Sequence, residues 1–144
     1  MKNVVIYIHG KYGTAKEAEY YKKFFNEADI IGFEYTSEYP WDFQKEFSNF
    51  IDNIYTKYKK ISIIANSIGA YFTMLSLTNK NIEKAFFISP IVDMEKLITD
   101  MMFLENITEE ELYKKKEIKT SFGEIVSWDY LTFARKNPIE WNIP

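Results

Sequence analysis

The sequence predicts an α/β fold in which helices cover both faces of a mostly parallel sheet. Short strand-type runs alternate with longer segments of helical periodicity from the first residues onward, which is typical of parallel sheets. The strand-type runs are almost continuously apolar, as expected for strands buried on both faces. A chain of 144 residues suffices for one compact domain. Its composition, 47% hydrophobic and 27% charged, excludes a disordered protein.

Four apolar runs have the length and composition of strands, and they are Asn3–Ile8, Asp29–Tyr35, Ile61–Asn66 and Lys84–Ser89. Helices are predicted at Ala15–Glu27, Trp41–Tyr58, Ile68–Leu77, Met94–Phe103, Glu109–Lys116 and Trp128–Lys136. The clearest helix is Trp41–Tyr58, because its apolar residues recur at steps of three and four. We expect a loop or hairpin around Ser121–Ile125 and no regular element in Asn137–Pro144.

Composition excludes several classes of function. The chain has no cysteine and one histidine, so thiolate zinc sites, iron–sulfur clusters and multi-histidine metal sites are excluded. A net charge of −3 favours neither nucleic acid nor anionic membranes as partners. The first apolar run is too short for a signal peptide or a membrane span, and neither a Walker A nor a G-x-G-x-x-G motif is present. These features predict a soluble cytoplasmic protein without a cofactor.

The strongest motif is Ala65-Asn66-Ser67-Ile68-Gly69, which fits the nucleophile elbow G-x-S-x-G with alanine at the first small position. A strand that turns directly into a helix through one strained residue brings backbones together, so the flanking residues must be small. This turn leaves Ser67 projecting above the sheet. The alternative is that Ser67 is an ordinary helix N-cap, although a cap needs no small neighbours.

A second motif, His9-Gly10, follows the first strand. If that strand lies between the second and third, its loop faces the turn at Ser67. Acyl transfer requires two backbone N–H groups directed at the developing oxyanion. Ile68 N–H is one candidate, and the N–H of Lys11 or Tyr12 is the other. The alternative is a strand-ending turn with a buried, hydrogen-bonded histidine.

With these two motifs the chain resembles the α/β-hydrolase superfamily, and it is similar to small bacterial members with an HG loop and an N-S-I-G-A elbow. The resemblance covers essentially the whole chain. It implies a Ser67 nucleophile, an oxyanion loop at His9 and Gly10, oxyanion donors at Ile68 and Lys11, and a cap in Met94–Lys136. The implied organisation is one domain, with a core in 1–90, a helical cap region in 91–136 and a tail in 137–144.

The chain departs from this superfamily in its catalytic base. Hydrolases of this type order their triad as Ser, then Asp or Glu, then His, yet no histidine follows Ser67. We therefore expect a truncated chain that ends before the acid and histidine loops. Three residues are weaker substitutes: His9 as base, Lys11 as base, and Asp93 as acid, with Asp93 more easily explained as a helix N-cap. The expected chain is nearly inert as a hydrolase.

The sequence thus predicts a serine hydrolase of the carboxylesterase type that acts on small ester-like substrates and is catalytically incomplete. Two alternatives remain, a flavodoxin-like domain and a non-catalytic binding protein, because fold alone does not decide function. The strand Lys84–Ser89 would lie at an exposed sheet edge, so we also expect self-association of the chain through that strand.

Overall fold

The computed structural model describes residues 1–140, and the chain divides into two compact units, one of Met1–Ile91 and one that begins at Val92. Residues 137–140 form neither helix nor strand. The prediction of a tail without secondary structure also covers residues 141–144, which lie outside the described residues. No helix in residues 1–140 is both long and apolar enough to cross a membrane.

The first unit contains a sheet of four parallel strands in the order β2-β1-β3-β4. The strands are β1 Asn3–Ile8, β2 Ala28–Gly32, β3 Ile61–Asn66 and β4 Lys84–Ile88. The two central strands, β1 and β3, are almost completely buried, as their continuous apolar runs predict. The predicted fold class, α/β with a parallel sheet, is confirmed.

Helices cover both faces of this sheet, namely a 3-10 helix at Ala15–Phe24, α1 at Pro40–Tyr55 and α2 at Ile68–Ser76. Val5 and Tyr7 of β1 pack against Ala18 of the 3-10 helix. Ile8 points to the opposite face, because successive side chains of a strand alternate. There it lies against the first turn of α2, where a Cβ on Gly69 would be 3.0 Å from Ile8 Cγ2.

The segment predicted as a helix over Ala15–Glu27 is a 3-10 helix that ends at Phe24. With three residues per turn, positions three apart lie on the same side. Ala18 and Tyr21 therefore both face the sheet, where the ring of Tyr21 stacks on Tyr7 with centroids 5.2 Å apart. The single buried residue of this helix is Ala18, so it covers less apolar surface than an amphipathic α-helix would.

Strand β2 is shorter than predicted. Its pairing with β1 ends at Gly32 rather than at Tyr35, although Phe33 N still donates to Tyr7 O at 2.8 Å. Beyond that bond the chain leaves the sheet, and the side chains of Phe33 and Tyr35 are buried in the core. The gain from burying two large rings explains why the apolar pattern continues after the strand has ended.

Aromatic rings make up the core between the sheet and helices α1 and α2. Phe33 and Tyr35 contact Phe43 with ring centroids 5.7 and 4.8 Å apart, and Phe43 contacts Phe72 of α2 at 5.2 Å. Each such pair contributes about 0.5–1.5 kcal/mol beyond its buried area. The high aromatic content of the sequence, 18%, is thus used in part to build this core.

Over residues 92–140 the second unit has three helices and a hairpin, namely α3 Met94–Leu104, α4 Glu109–Lys115, β5 Glu117–Lys119, β6 Ile125–Ser127 and α5 Trp128–Lys136. Strands β5 and β6 pair antiparallel, so the segment predicted as a loop or hairpin around Ser121–Ile125 belongs to a hairpin whose first strand was not predicted. Arg135 joins all three helices, since its guanidinium on α5 binds Glu95 of α3 at 2.7 Å and Glu109 of α4 at 2.6 Å. That residues 91–136 act as a cap stays a prediction.

Candidate active site

Ser67 alone connects β3 to α2, and its backbone is strained. The strand ends at Asn66 and the helix begins at Ile68, while Ser67 has φ 56° and ψ −119°. A residue other than glycine adopts a positive φ of this kind only at a cost of about 1–3 kcal/mol, which the surrounding structure must supply. Here the neighbouring backbone holds Ser67, whose N–H donates to Ile88 O at 2.9 Å.

The residues around Ser67 are small because the backbones lie very close together. A Cβ on Gly69 would overlap the carbonyl oxygen of His9, so no side chain fits at this position without a backbone shift. Ala65, the residue before the end of β3, is completely buried. The small residues of the motif therefore have the steric role that the sequence suggested, and they allow α2 to start directly over the end of β1.

The hydroxyl of Ser67 does not cap the helix that follows it. Ser67 occupies the N-cap position of α2, yet its side chain makes no hydrogen bond to the N–H groups of the first turn. By contrast, Asp93, Thr108 and Ser127 each accept such a bond at the start of α3, α4 and α5. The N-cap alternative therefore does not describe what the Ser67 side chain does in this structure.

The loop after β1 lies beside Ser67, because β1 and β3 are neighbours in the sheet. A Cβ on Gly10 would be 3.4 Å from Ser67 Cβ and 3.3 Å from Asn66 O. Strand order and register place the two predicted motifs together, with Ile8 paired to Ala65. The structure thus brings together Ser67, Ile68, His9 and Gly10, and Lys11 follows directly in the chain.

His9 is held in place through its ring and its backbone. It is 9% exposed, its Nδ1 lies 2.7 Å from Gly10 O, and its ring stacks on Tyr35 with centroids 4.2 Å apart. Because a carbonyl oxygen only accepts, Nδ1 is the donor in that hydrogen bond. Tyr35 in turn donates its hydroxyl to His9 O at 2.7 Å. His9 is therefore the buried, hydrogen-bonded histidine of the alternative explanation, and it also shapes the loop beside Ser67.

The two backbone N–H groups that were predicted as oxyanion donors belong to Ile68 and Lys11, and the structure gives the surroundings of each. Ile68 is the first residue of α2, where N–H groups lack intrahelical acceptors and the helix dipole is positive. The carbonyl of Gly10 is directed at His9 Nδ1 and also accepts from Gly13 N at 3.1 Å. In a trans peptide the N–H points away from the C=O, so Lys11 N–H is directed away from those two groups.

A polar network beneath the loop was not found from the sequence. The Tyr7 hydroxyl donates to Glu17 Oε1 at 2.6 Å, and Thr14 N donates to Glu17 Oε2 at 3.0 Å. The hydrogen bond from Tyr7 is the largest cause that lowers the pKa of Glu17, whereas burial is the largest cause that raises the pKa of Tyr7. A Cβ on Gly13 would lie 2.7 Å from Glu17 Oε2, so this network also fixes the path of the loop.

The structure gives Asp93 and Lys11 other contacts. Asp93 belongs to the second unit and accepts a hydrogen bond from Lys96 N at 3.0 Å, which makes it the N-cap of α3. The side chain of Lys11 is exposed, with Nζ 5.5 Å from the ring centroid of Tyr12. Like Tyr7 and Glu17, Tyr35 was not predicted as a site residue, although its position after β2 places it at the carboxyl-terminal end of the sheet, where the candidate loops lie.

Solved structures share this arrangement of strands and helices. Est1E from Butyrivibrio proteoclasticus matches with a TM-score of 0.72 at 15% identity, over 96% of this chain and 60% of its own. Alpha/beta hydrolase domain-containing protein 10 from mouse matches with a TM-score of 0.66 at 15% identity, over 94% of this chain and 61% of its own. A structure of carboxylesterases from the thaumarchaeon Nitrososphaera gargenis matches with a TM-score of 0.54 at 11% identity, over 94% of this chain and 58% of its own.

The similarity is one of fold. No protein-family model matches the sequence, and no curated protein matches it either. This chain spans about 60% of the length of the first of those structures. The strand order on its own is also that of flavodoxin-like domains, so the comparison with solved structures is what separates the two folds. The chain has the α/β-hydrolase fold, as the sequence motifs predict.

Proposed function

We propose that this chain is a serine hydrolase of the carboxylesterase type, with Ser67 as the nucleophile. The observation that carries the proposal is the conformation of Ser67, whose strained backbone joins β3 to α2 while its hydroxyl leaves the helix uncapped. Strained backbone conformations cluster at functional sites, and the α/β-hydrolase fold uses such a turn between a strand and a helix to present a serine. An ester-like small molecule is the matching substrate class.

In the proposed reaction, Ser67 Oγ attacks the carbonyl carbon of the ester and the carbonyl oxygen becomes negatively charged. Ile68 N–H and Lys11 N–H donate to that oxyanion, and a single donor of this kind is worth roughly a hundred- to a thousand-fold in rate. The bond to the alcohol then breaks, which leaves an acyl group on Ser67. His9 and Gly10 shape the loop that carries the second donor.

The proton of the Ser67 hydroxyl needs a base, and this is where we propose that the chain is incomplete. Its one histidine is His9, whose ring is held by Gly10 O and by stacking on Tyr35, and we propose that the remaining ring nitrogen, Nε2, does not serve as that base. Without the base, an oxyanion hole and substrate binding retain only roughly a thousand- to ten-thousand-fold acceleration over water. Turnover by residues 1–144 is therefore expected to be far below that of a complete hydrolase.

The test supplies the missing base from solution. The chain is treated with a fluorophosphonate, with and without added imidazole, and its intact mass is followed over time. We expect slow labelling that rises with imidazole concentration, yields one adduct per chain and disappears in Ser67→Ala. Ser89→Ala is the matched control, because Ser89 follows the neighbouring strand β4 and also has a positive φ, 44°.

Two results would contradict the proposal. If imidazole yields no adduct, or an adduct that persists in Ser67→Ala, Ser67 is not the nucleophile and a non-catalytic binding protein becomes the better description. If the adduct forms rapidly without imidazole, a base exists within the chain and the statement that it is incomplete is wrong. His9→Ala would then show whether His9 is that base.

A further inference from the structure

Tyr35 belongs to the aromatic core, and it also contacts His9, in the loop beside Ser67, through both its ring and its hydroxyl. Its ring stacks on His9 with an interplanar angle of 9°, and its hydroxyl donates to the His9 carbonyl at 2.7 Å. It also contacts Phe33, Phe43 and Phe72 with centroids 5.7, 4.8 and 6.3 Å apart. A phenylalanine would preserve every ring contact, so the hydroxyl needs a separate explanation.

Burying the hydroxyl of Tyr35 costs free energy unless a hydrogen bond replaces its lost contacts with water. The residue is 7% exposed, and burial raises the pKa of its hydroxyl above the ordinary value of 10.0. Moving a hydroxyl out of water is unfavourable unless a partner compensates for the lost hydration. Here the partner is one backbone oxygen, that of His9, which is also the atom that a Cβ on Gly69 would overlap. The His9 carbonyl is thus contacted both by Tyr35 and by the first turn of α2.

A short series of contacts connects Tyr35 to the second proposed oxyanion donor. Tyr35 holds the backbone and the ring of His9, and His9 Nδ1 donates to Gly10 O. That carbonyl belongs to the same planar peptide as Lys11 N–H, so its direction fixes the direction of the N–H. If the His9 ring moved, the Gly10 carbonyl would keep only its bond from Gly13 N at 3.1 Å, so the direction of the Lys11 N–H would be held less firmly.

We propose that Tyr35 is a positioning residue of the site, which orients the Gly10–Lys11 peptide for oxyanion binding by holding His9 through its hydroxyl and its ring. This inference rests on the proposed function of Ser67. Tyr35 acts through His9 and touches no reacting atom, so its effect is on geometry.

The test compares Tyr35→Phe with Tyr58→Phe. Each variant keeps the ring and loses one hydroxyl hydrogen bond, but Tyr58 donates to Asp29 Oδ2, and Asp29 pairs with Val4 near the start of β1. The readouts are the imidazole-dependent rate of fluorophosphonate labelling and the ¹⁵N resonances of the His9 ring, which are unambiguous in a chain with one histidine. The denaturation midpoint of each variant reports its stability.

We expect Tyr35→Phe to label about tenfold more slowly than the unmodified chain, a partial loss of one oxyanion donor. Its His9 Nδ1 and Nε2 resonances and the Gly10 and Lys11 amides should shift. Tyr58→Phe should be labelled at a rate within about twofold of that of the unmodified chain, and its His9 resonances should not shift. We expect this even if its denaturation midpoint falls as much as that of Tyr35→Phe.

The outcomes separate the two proposals. If the unmodified chain is labelled at Ser67 but Tyr35→Phe matches Tyr58→Phe in rate or in its His9 resonances, Tyr35 is only a core residue and the inference is wrong. If the unmodified chain is not labelled at Ser67 in the presence of imidazole, the proposed function fails, and the positioning role fails with it.

Discussion

The turns after β3 and β4 begin alike and differ in what surrounds them. Each strand is followed by a serine with positive φ, 56° at Ser67 and 44° at Ser89, and the strands are paired along their length. Ser67 is followed at once by α2, with Gly69 against the His9 carbonyl. Ser89 is exposed and followed by Pro90, and α3 begins only at Met94. A strained serine is therefore not a site by itself; the helix start and the facing loop distinguish Ser67.

Strands β3 and β4 also differ in burial, and β3 is the more buried of the two. Ile63 of β3 is completely buried, whereas Phe86 of β4 is 48% exposed and Ile88 is 37% exposed. Strand β4 lies at the edge of the sheet and β3 lies inside it. Burial on both sides gives the turn after β3 a rigid base, and rigid elements hold reactive groups more accurately than mobile ones do.

The largest effect that we predict is on stability, and it contrasts the two strands. Ile63→Ala should lower the free energy of unfolding by about 2–5 kcal/mol, because it removes a completely buried side chain and leaves a cavity. Phe86→Ala should cost about 1 kcal/mol or less, since Phe86 is already 48% exposed to water. Urea unfolding of both variants measures the difference, and equal costs would mean that β4 is covered in solution.

A second prediction concerns the close approach at α2. Gly69→Ala should destabilise the chain by about 1–3 kcal/mol, because the new Cβ would overlap the carbonyl of His9 and force a backbone shift. In an open helix the same change would be favourable by about 0.5–1 kcal/mol. Gly10→Ala is the matched control, with a smaller cost, because its Cβ would come no nearer than 3.3 Å to another atom. A Gly69→Ala variant that is more stable than the parent would show that α2 starts farther from His9.

A third prediction compares the two serines by their chemistry. The chain has no cysteine, so Ser67→Cys and Ser89→Cys each introduce one thiol. At the start of a helix the thiolate is stabilised, so the pKa of Cys at position 67 should fall about one unit or more below the ordinary 8.5. Because the thiolate is the form that reacts, the rate of alkylation by iodoacetamide should fall off at a lower pH in Ser67→Cys than in Ser89→Cys. Identical pH profiles would refute the distinction between the two turns.

The smallest effect that we predict is weak self-association through β4. Its open edge and its exposed Phe86 and Ile88 form a surface on which a strand from a second copy can pair. Sedimentation should show a mass that rises with protein concentration, and Phe86→Lys should reduce that rise by placing a charge in the strand. A monomer at all concentrations would contradict this prediction.

The sequence was sufficient to predict the sheet and the meeting of the two motifs, because buried strands are read from continuous apolar runs and parallel order follows from the alternation with helices. The small residues around Ser67 were also explained correctly, by the close approach of backbones at a tight turn from strand to helix. Tyr35 could not be found in this way, since its contacts depend on β2 ending at Gly32 and the chain then turning inward. The Tyr7–Glu17 hydrogen bond likewise depends on the 3-10 helix, whose type the periodicity did not reveal.

The most direct test of the central claim is to map the fluorophosphonate adduct by peptide mass spectrometry after labelling in imidazole. We predict one modified residue, Ser67, and an unmodified Ser89 in the same sample. An adduct on Ser89 or elsewhere with Ser67 untouched would contradict it, because the strained turn between β3 and α2 would then have no special reactivity.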